Sequence, residues 1–183
     1  KKNKWIFYPA QFWEHKNHSY IIDALDEINY LGMSDINFVF CGKDRGYLSE
    51  IKLNIKRKDL ENRFKFFDYL TDYQVISLYI YSDAVVIPTY LGRSSMPLLE
   101  SFYFNKEIFY GSNVLDEKFY KYVNKIDLKR PEDFANKVNL FFKDNKKREK
   151  KINLRNVYKQ ECADDIFLNT YKKIIDDFSL NKK

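Results

Sequence analysis

Only two cysteines, Cys41 and Cys162, occur in the 183 residues. They lie far apart without the short spacing of metal ligands, and Cys41 closes an apolar run, INFVFC. Both are therefore expected to be reduced thiols of a cytosolic protein. Five glycines and four prolines are few, and 45% hydrophobic against 32% charged residues excludes a disordered or low-complexity chain. No apolar stretch reaches the roughly 20 residues that span a bilayer, and no signal peptide precedes the first expected strand, so a cytoplasmic location is expected. The abrupt opening Lys1-Lys2-Asn3-Lys4, running straight into a strand, suggests a fragment of a longer protein.

Histidine is equally scarce. His15 and His18 are spaced by three but lack a third ligand candidate, so no metal is expected, and neither is paired with a serine or cysteine nucleophile as a hydrolase triad requires. The segment Gly42-Lys43-Asp44-Arg45-Gly46 has neither the G-x-G-x-x-G spacing of a dinucleotide fold nor the G-K-[ST] ending of a P-loop; its glycines indicate a tight turn.

What is present fits one domain, residues 1–183, long enough to bury a substantial core. Thirty-two Lys and Arg against 26 Asp and Glu leave a net charge of +6, which favours anionic partners: nucleotides, nucleic acid or an acidic membrane face. Much of that charge lies in the run Lys143 to Lys151, KDNKKREKK, preferred as a solvated connection between helices, with a lipid-facing patch as the alternative. Sixteen Phe and 15 Tyr suit base stacking or core filling, and composition does not separate the two.

Strand-length apolar runs alternate with stretches of helical period, which predicts a parallel sheet with crossover helices. Strands are expected at Trp5–Tyr8, stopped by Pro9, and at Asn37–Cys41, Phe64–Phe67, Ala84–Ile87 and Ile108–Tyr110, with a sixth over Tyr122–Ile126. Helices are expected from Asn17 to Leu31, about Tyr47 to Lys58, after a cap at Thr71 or Asp72, from Pro97 to Phe104, and from Pro131 through Phe141. Phe167, Tyr171, Ile174 and Phe178 mark a terminal amphipathic helix over Asp164–Phe178. The resulting fold class is α/β, a Rossmann-like doubly wound parallel sheet with helices on both faces.

Such sheets bind ligands beyond the carboxyl ends of their strands. The loop from Thr89 to Pro97 leaves a strand, turns through Gly92-Arg93-Ser94-Ser95 and enters a helix. Free amides near Ser95, Met96 and Leu98 and the positive helix end there suit a phosphate. Glu100, one turn inside, can accept two hydrogen bonds from a vicinal diol or be an ordinary helix acid. Lys16, in the loop after the first strand, can reach a diphosphate as a point charge or simply face solvent.

Taken together, FYPAQFWEHKNH, FVFCGKDRGY and FKFFDYLTDYQVISLYIYSDAVVIPTYLGRSSMPLLESF resemble, in order over residues 4–140, the carboxyl-terminal domain of GT-B retaining glycosyltransferases of family four, especially bacterial enzymes that build surface polysaccharides. The resemblance implies that Lys16 holds the donor diphosphate and that Glu100, as the second glutamate of E-x(7)-E, binds the ribose hydroxyls. Ser95, Met96 and Leu98 then face the diphosphate and sugar, with Gly42 also at the donor site, and Tyr69 and Leu70 lie along the base. Gly92 stands where the first glutamate belongs, and Gln11 stands near the place of the family's usual arginine, which implies either a weaker diphosphate grip or compensation by Arg93.

The implied reaction moves a sugar, hexosyl or N-acetylhexosaminyl, from a UDP- or GDP-linked donor to an acceptor hydroxyl with retention and without a metal or other cofactor. The acceptor, a glycan or lipid-linked glycan, would be bound by an amino-terminal domain absent from this chain, with peripheral contact to the inner membrane face. Two other readings stand beside it. One is a nucleic-acid-binding α/β domain, motivated by charge and aromatics, although most aromatics fall where packing explains them. The other is a non-catalytic interaction domain with a retained fold.

Overall fold

The apolar runs Ile36–Cys41 and Ala84–Ile87 carry no polar alternation beyond Asn37, the pattern of strands covered on both faces. A computed structural model, which describes residues 3–91, 96–111, 115–143 and 153–161, places both inside a parallel sheet. Its strands are β1 (Lys4–Pro9), β2 (Ile36–Cys41), β3 (Phe64–Phe67), β4 (Ala84–Ile87), β5 (Glu107–Gly111) and β6 (Asn124–Ile126). The helices are α1 (His18–Tyr30), α2 (Leu48–Arg57), α3 (Asp72–Tyr81), α4 (Met96–Tyr103), α5 (Pro131–Lys143) and α6 (Leu154–Glu161). Strand order is β3-β2-β1-β4-β5-β6, and every pair is parallel. Phe7 of β1 pairs with Val39 of β2 on one side and Val85 of β4 on the other.

The chain builds outward from β1 to β3, then returns to lay β4 against the free side of β1. That reversal opens a crevice between the loops leaving β1 and β4, the place where doubly wound sheets bind ligands. Asp83 secures the return: its carboxylate accepts from the Trp5 amide at 2.9 Å and its own amide donates to the Trp5 carbonyl at 2.8 Å.

Helices cover both faces. α1 packs against α2 and α5, and α4 packs against α6. The aromatic residues fill the core: Phe7, Phe38, Phe40, Phe102, Phe109 and Phe134 are all fully buried. Phe38 stacks on Phe64 at 5.5 Å between centroids, and Phe134 reaches both Phe38 and Phe109.

Among the described residues the expected strands and helices lie where the pattern puts them, with ends shifted by at most two residues, and the shift with a structural consequence is at β6. There the reading over Tyr122–Ile126 is corrected to Asn124–Ile126. Residues Glu117–Tyr122 wind instead into a 3-10 turn, capped by the Asp116 carboxylate accepting from the Lys118 amide at 3.2 Å and anchored by buried Phe119. α6 was not expected. Buried Leu154, Val157 and Tyr158 share one of its faces, and their period was hidden by surrounding charge. The terminal helix over Asp164–Phe178, Cys162, and all of the basic run except Lys143 lie outside the described residues. Among the described residues no helix is long and apolar enough to cross a membrane.

Candidate functional site

β1 ends at Pro9, and the chain leaves the sheet through Ala10 and Gln11. Phe12 then turns inward, fully buried, and its amide donates to the Lys43 carbonyl at 3.0 Å, so the loop after β1 is bonded to the loop after β2. The two backbones approach so closely that a Cβ on Gly42 would sit 2.3 Å from the Ala10 carbonyl oxygen. Gly42 is thus required by contact between loops, a reason that a tight turn does not capture.

A short 3-10 turn, Glu14–Lys16, follows, and Asn17 adopts a left-handed conformation with φ 56° before α1 begins. Asparagine tolerates that region better than most residues. The turn is held from two sides. The buried Tyr8 hydroxyl donates to the Lys16 carbonyl at 2.7 Å, and the His15 carbonyl accepts from the Tyr90 amide at 2.9 Å and the Thr89 hydroxyl at 3.2 Å. Lys16 is therefore fixed between the exits of β1 and β4. Burial lowers its pKa.

Across the crevice α4 starts at Met96, with Pro97 in its first turn and Leu98 fully buried as its anchor. First-turn amides of a helix have no intrahelical acceptor, and the helix end is positive. A cavity of about 390 Å3 separates this end from the first loop, lined by Gln11, Trp13, His15, Lys16, Ile87 and Pro97 among others. Its size is that of small-ligand sites, and a cation and a helix amino terminus at its walls suit an anion.

Of the residues singled out from sequence, Gln11 and Lys16 line this cavity. Met96 is half exposed at the start of α4. Gly92, Arg93 and Ser95 lie outside the described residues. Tyr69 follows β3 and is 85% exposed, and Leu70 is half-buried beside it; neither lines the cavity. Glu100 does not line it either. Its carboxylate accepts from the hydroxyl of buried Tyr79 at 2.6 Å, the length of a charge-assisted bond.

His15 stacks on Trp13 at 6.0 Å, whereas His18 is fully buried among Tyr8, Phe12 and Phe40, so the two rings do not converge. Burial, and then the Lys16 charge, press the His18 pKa down to about 3. Among the described residues no cluster of three or more His, Cys, Asp or Glu is placed to hold a metal.

Sequence reasoning missed Trp13 and Arg45. The Gln11 side-chain oxygen accepts from both Trp13 Nε1 and Arg45 Nε at 3.0 Å, and the Arg45 guanidinium lies over the Trp13 ring at 5.6 Å. The only signal in the sequence was that Arg45 follows a strand's carboxyl end. A second cavity, about 380 Å3, opens on the sheet face beside Trp5, Phe7, Val39, Phe67 and Leu78. Its lining is mostly apolar, with Lys65 the one charged side chain among the described residues, and it lies outside the crevice between the β1 and β4 exits.

The family described as Glycosyl transferases group 1 matches residues 1–155. No curated protein matches the chain by sequence. Among solved structures, a glycosyltransferase from Rickettsia africae superposes with a TM-score of 0.80 at 18% identity, over 100% of this chain and 49% of its own. HepE of Anabaena, solved in complex with UDP, gives 0.70 at 16% identity over 97% and 49%. The C-terminal domain of a glycosyl transferase group 1 family protein, LpcC, from Francisella tularensis gives 0.69 at 20% over 86% and 84%. The chain thus spans about half the length of the Rickettsia and Anabaena proteins.

Proposed function

Since the chain belongs to the glycosyl transferases of group 1, we propose that it is the donor-binding half of a GT-B glycosyltransferase of family four that moves a hexosyl or N-acetylhexosaminyl group from a nucleoside diphosphate sugar to an acceptor hydroxyl with retention. The observation that carries this reading is the cavity between the β1 and β4 exits, where half-buried Lys16 and the amino end of α4 flank one space. Its acceptor is a glycan or lipid-linked glycan of surface-polysaccharide synthesis, held by a second domain. UDP is the first nucleotide to test, because HepE was solved with UDP and with UDP-glucose.

In this mechanism the breaking glycosidic bond leaves its electron pair on the diphosphate, and negative charge grows there. Lys16 and the α4 amides act on that charge more strongly in the transition state than on the intact donor. Partial burial of Lys16 strengthens the attraction, since water screens it less. Glu100, oriented by Tyr79, receives the ribose hydroxyls, and the exposed Tyr69 ring lies along the base. Gly92 brings no side chain to the sugar, so other groups read it. Phe38, Phe40, Phe102 and Phe109 are buried in the core, so packing explains them and they offer no face to a nucleic-acid base.

Titration calorimetry of this chain with UDP, GDP and their sugars tests the reading. One nucleoside diphosphate should bind, and Lys16→Ala should weaken it by about 1.5–3 kcal/mol, the range for a hydrogen bond to a charged group. Unchanged affinity in Lys16→Ala removes Lys16 from the site.

A further inference from the structure

Among the described residues that line the cavity, Lys16 is the one cation. A diphosphate carries more negative charge than one ammonium neutralises, so a second cation should stand at the cavity's rim if it is built for that ligand. We propose that Arg45 is that cation, a phosphate-binding residue supplied by the loop after β2. The inference rests on the donor-site reading above and adds to it a residue that the sequence marks only by its place after a strand's carboxyl end.

Arg45 is exposed, yet it is held in place. Its Nε donates to the Gln11 side chain and its guanidinium lies over Trp13, and both of those residues line the cavity. The acceptor is a neutral amide, so this bond orients the guanidinium without cancelling its charge. Among the described residues Arg45 makes no ion pair, and its two outer nitrogens donate to none of them. The carboxylate beside it in sequence is otherwise engaged: Asp44 Oδ1 accepts from the Gly46 amide at 2.8 Å and the Leu48 amide at 3.3 Å. An arginine that served only to staple two loops would be expected to find a carboxylate. This one keeps a planar fork of donors, the geometry that grips phosphate oxygens in pairs.

The loop that carries it cannot drift. The Phe12–Lys43 backbone bond and the close contact of Gly42 with Ala10 lock the β2 exit against the β1 exit, which fixes Arg45 relative to the loop bearing Lys16. Neighbouring Trp13 contributes its ring face to the cation, and Gln11 is the hinge pin that joins all three side chains.

The test is calorimetry of the chain with UDP, GDP and inorganic pyrophosphate at two salt concentrations, comparing wild type with Arg45→Ala, Arg45→Lys and Lys16→Ala. Arg45→Ala should weaken pyrophosphate and the bound nucleoside diphosphate alike, by about tenfold. It should also flatten the fall of affinity with salt, and Arg45→Lys should restore that salt dependence and part of the affinity. Melting temperature should stay unchanged, because the side chain is exposed. Full affinity in Arg45→Ala while Lys16→Ala binds weakly overturns the role of Arg45 and spares the donor site. Loss of affinity in Arg45→Ala without any change in salt dependence assigns Arg45 to loop stapling and also overturns it. Absence of binding by the wild-type chain to all three probes overturns the donor-site reading, and this inference with it.

Discussion

His18 shows what a single residue costs when it is buried under the loop after β1. Its ring fills space among Tyr8, Phe12 and Phe40, and neither nitrogen has a hydrogen-bond partner among the described residues. The folded state therefore holds it neutral, with a pKa near 3 against 6.5 in the free side chain. Between those values the unfolded chain binds the extra proton, so stability is retained above about pH 6.5 and lost as pH falls toward 3. The slope is about 1.4 kcal/mol per pH unit for one such group. His18→Phe should flatten denaturant-midpoint curves between pH 6.5 and 4; a slope equal to wild type there would show that His18 is not the source. Tyr79 gives a second residue-scale expectation. Tyr79→Phe removes the hydroxyl that orients Glu100. It should weaken the nucleoside diphosphate by about 1.5–3 kcal/mol while sparing pyrophosphate. Equal losses for both ligands would contradict a ribose role for Glu100.

At the scale of elements, local chemistry sets where helices begin, and those beginnings set the site. α3 starts with a capping box: the Thr71 hydroxyl accepts from the Gln74 amide at 3.4 Å, and the Gln74 side chain accepts from the Thr71 amide at 2.9 Å. Thr71→Ala should destabilise the fold by ~1 kcal/mol in urea unfolding. A loss below a few tenths would mean that solvent caps α3 equally well. α1 starts differently, from left-handed Asn17 after a 3-10 turn with no side-chain cap bond, and its entry is fixed by Tyr8 and Thr89 from other elements. The Thr71 cap was legible in the sequence because all its partners lie within three residues. The Lys16 turn was not, because its partners come from β1 and from the loop after β4.

For the molecule as a whole, the tie between the two sides of the sheet is Phe134 of α5. It contacts Tyr20 of α1, Phe38 of β2 and Phe109 of β5, which lie on both sides of the β1–β4 reversal. The Tyr20 hydroxyl, bonded to the Asp127 carbonyl at 3.0 Å, holds the turn that leads into α5. Phe134→Ala should cost about 3–5 kcal/mol. Unfolding followed by far-ultraviolet dichroism and by tryptophan fluorescence should still coincide. Separate transitions by the two probes would show that the halves fold independently. The sequence by itself determined the alternation of strand and helix, the parallel doubly wound class and which loops leave the carboxyl ends of the strands, since apolar period and capping act over a few residues. Only the tertiary structure decided which of those loops meet. Gly42 presses on Ala10, Gln11 holds Arg45, and Tyr79 holds Glu100, across 32, 34 and 21 positions of chain respectively. Contacts at such separations follow from strand order and register, which no local pattern encodes.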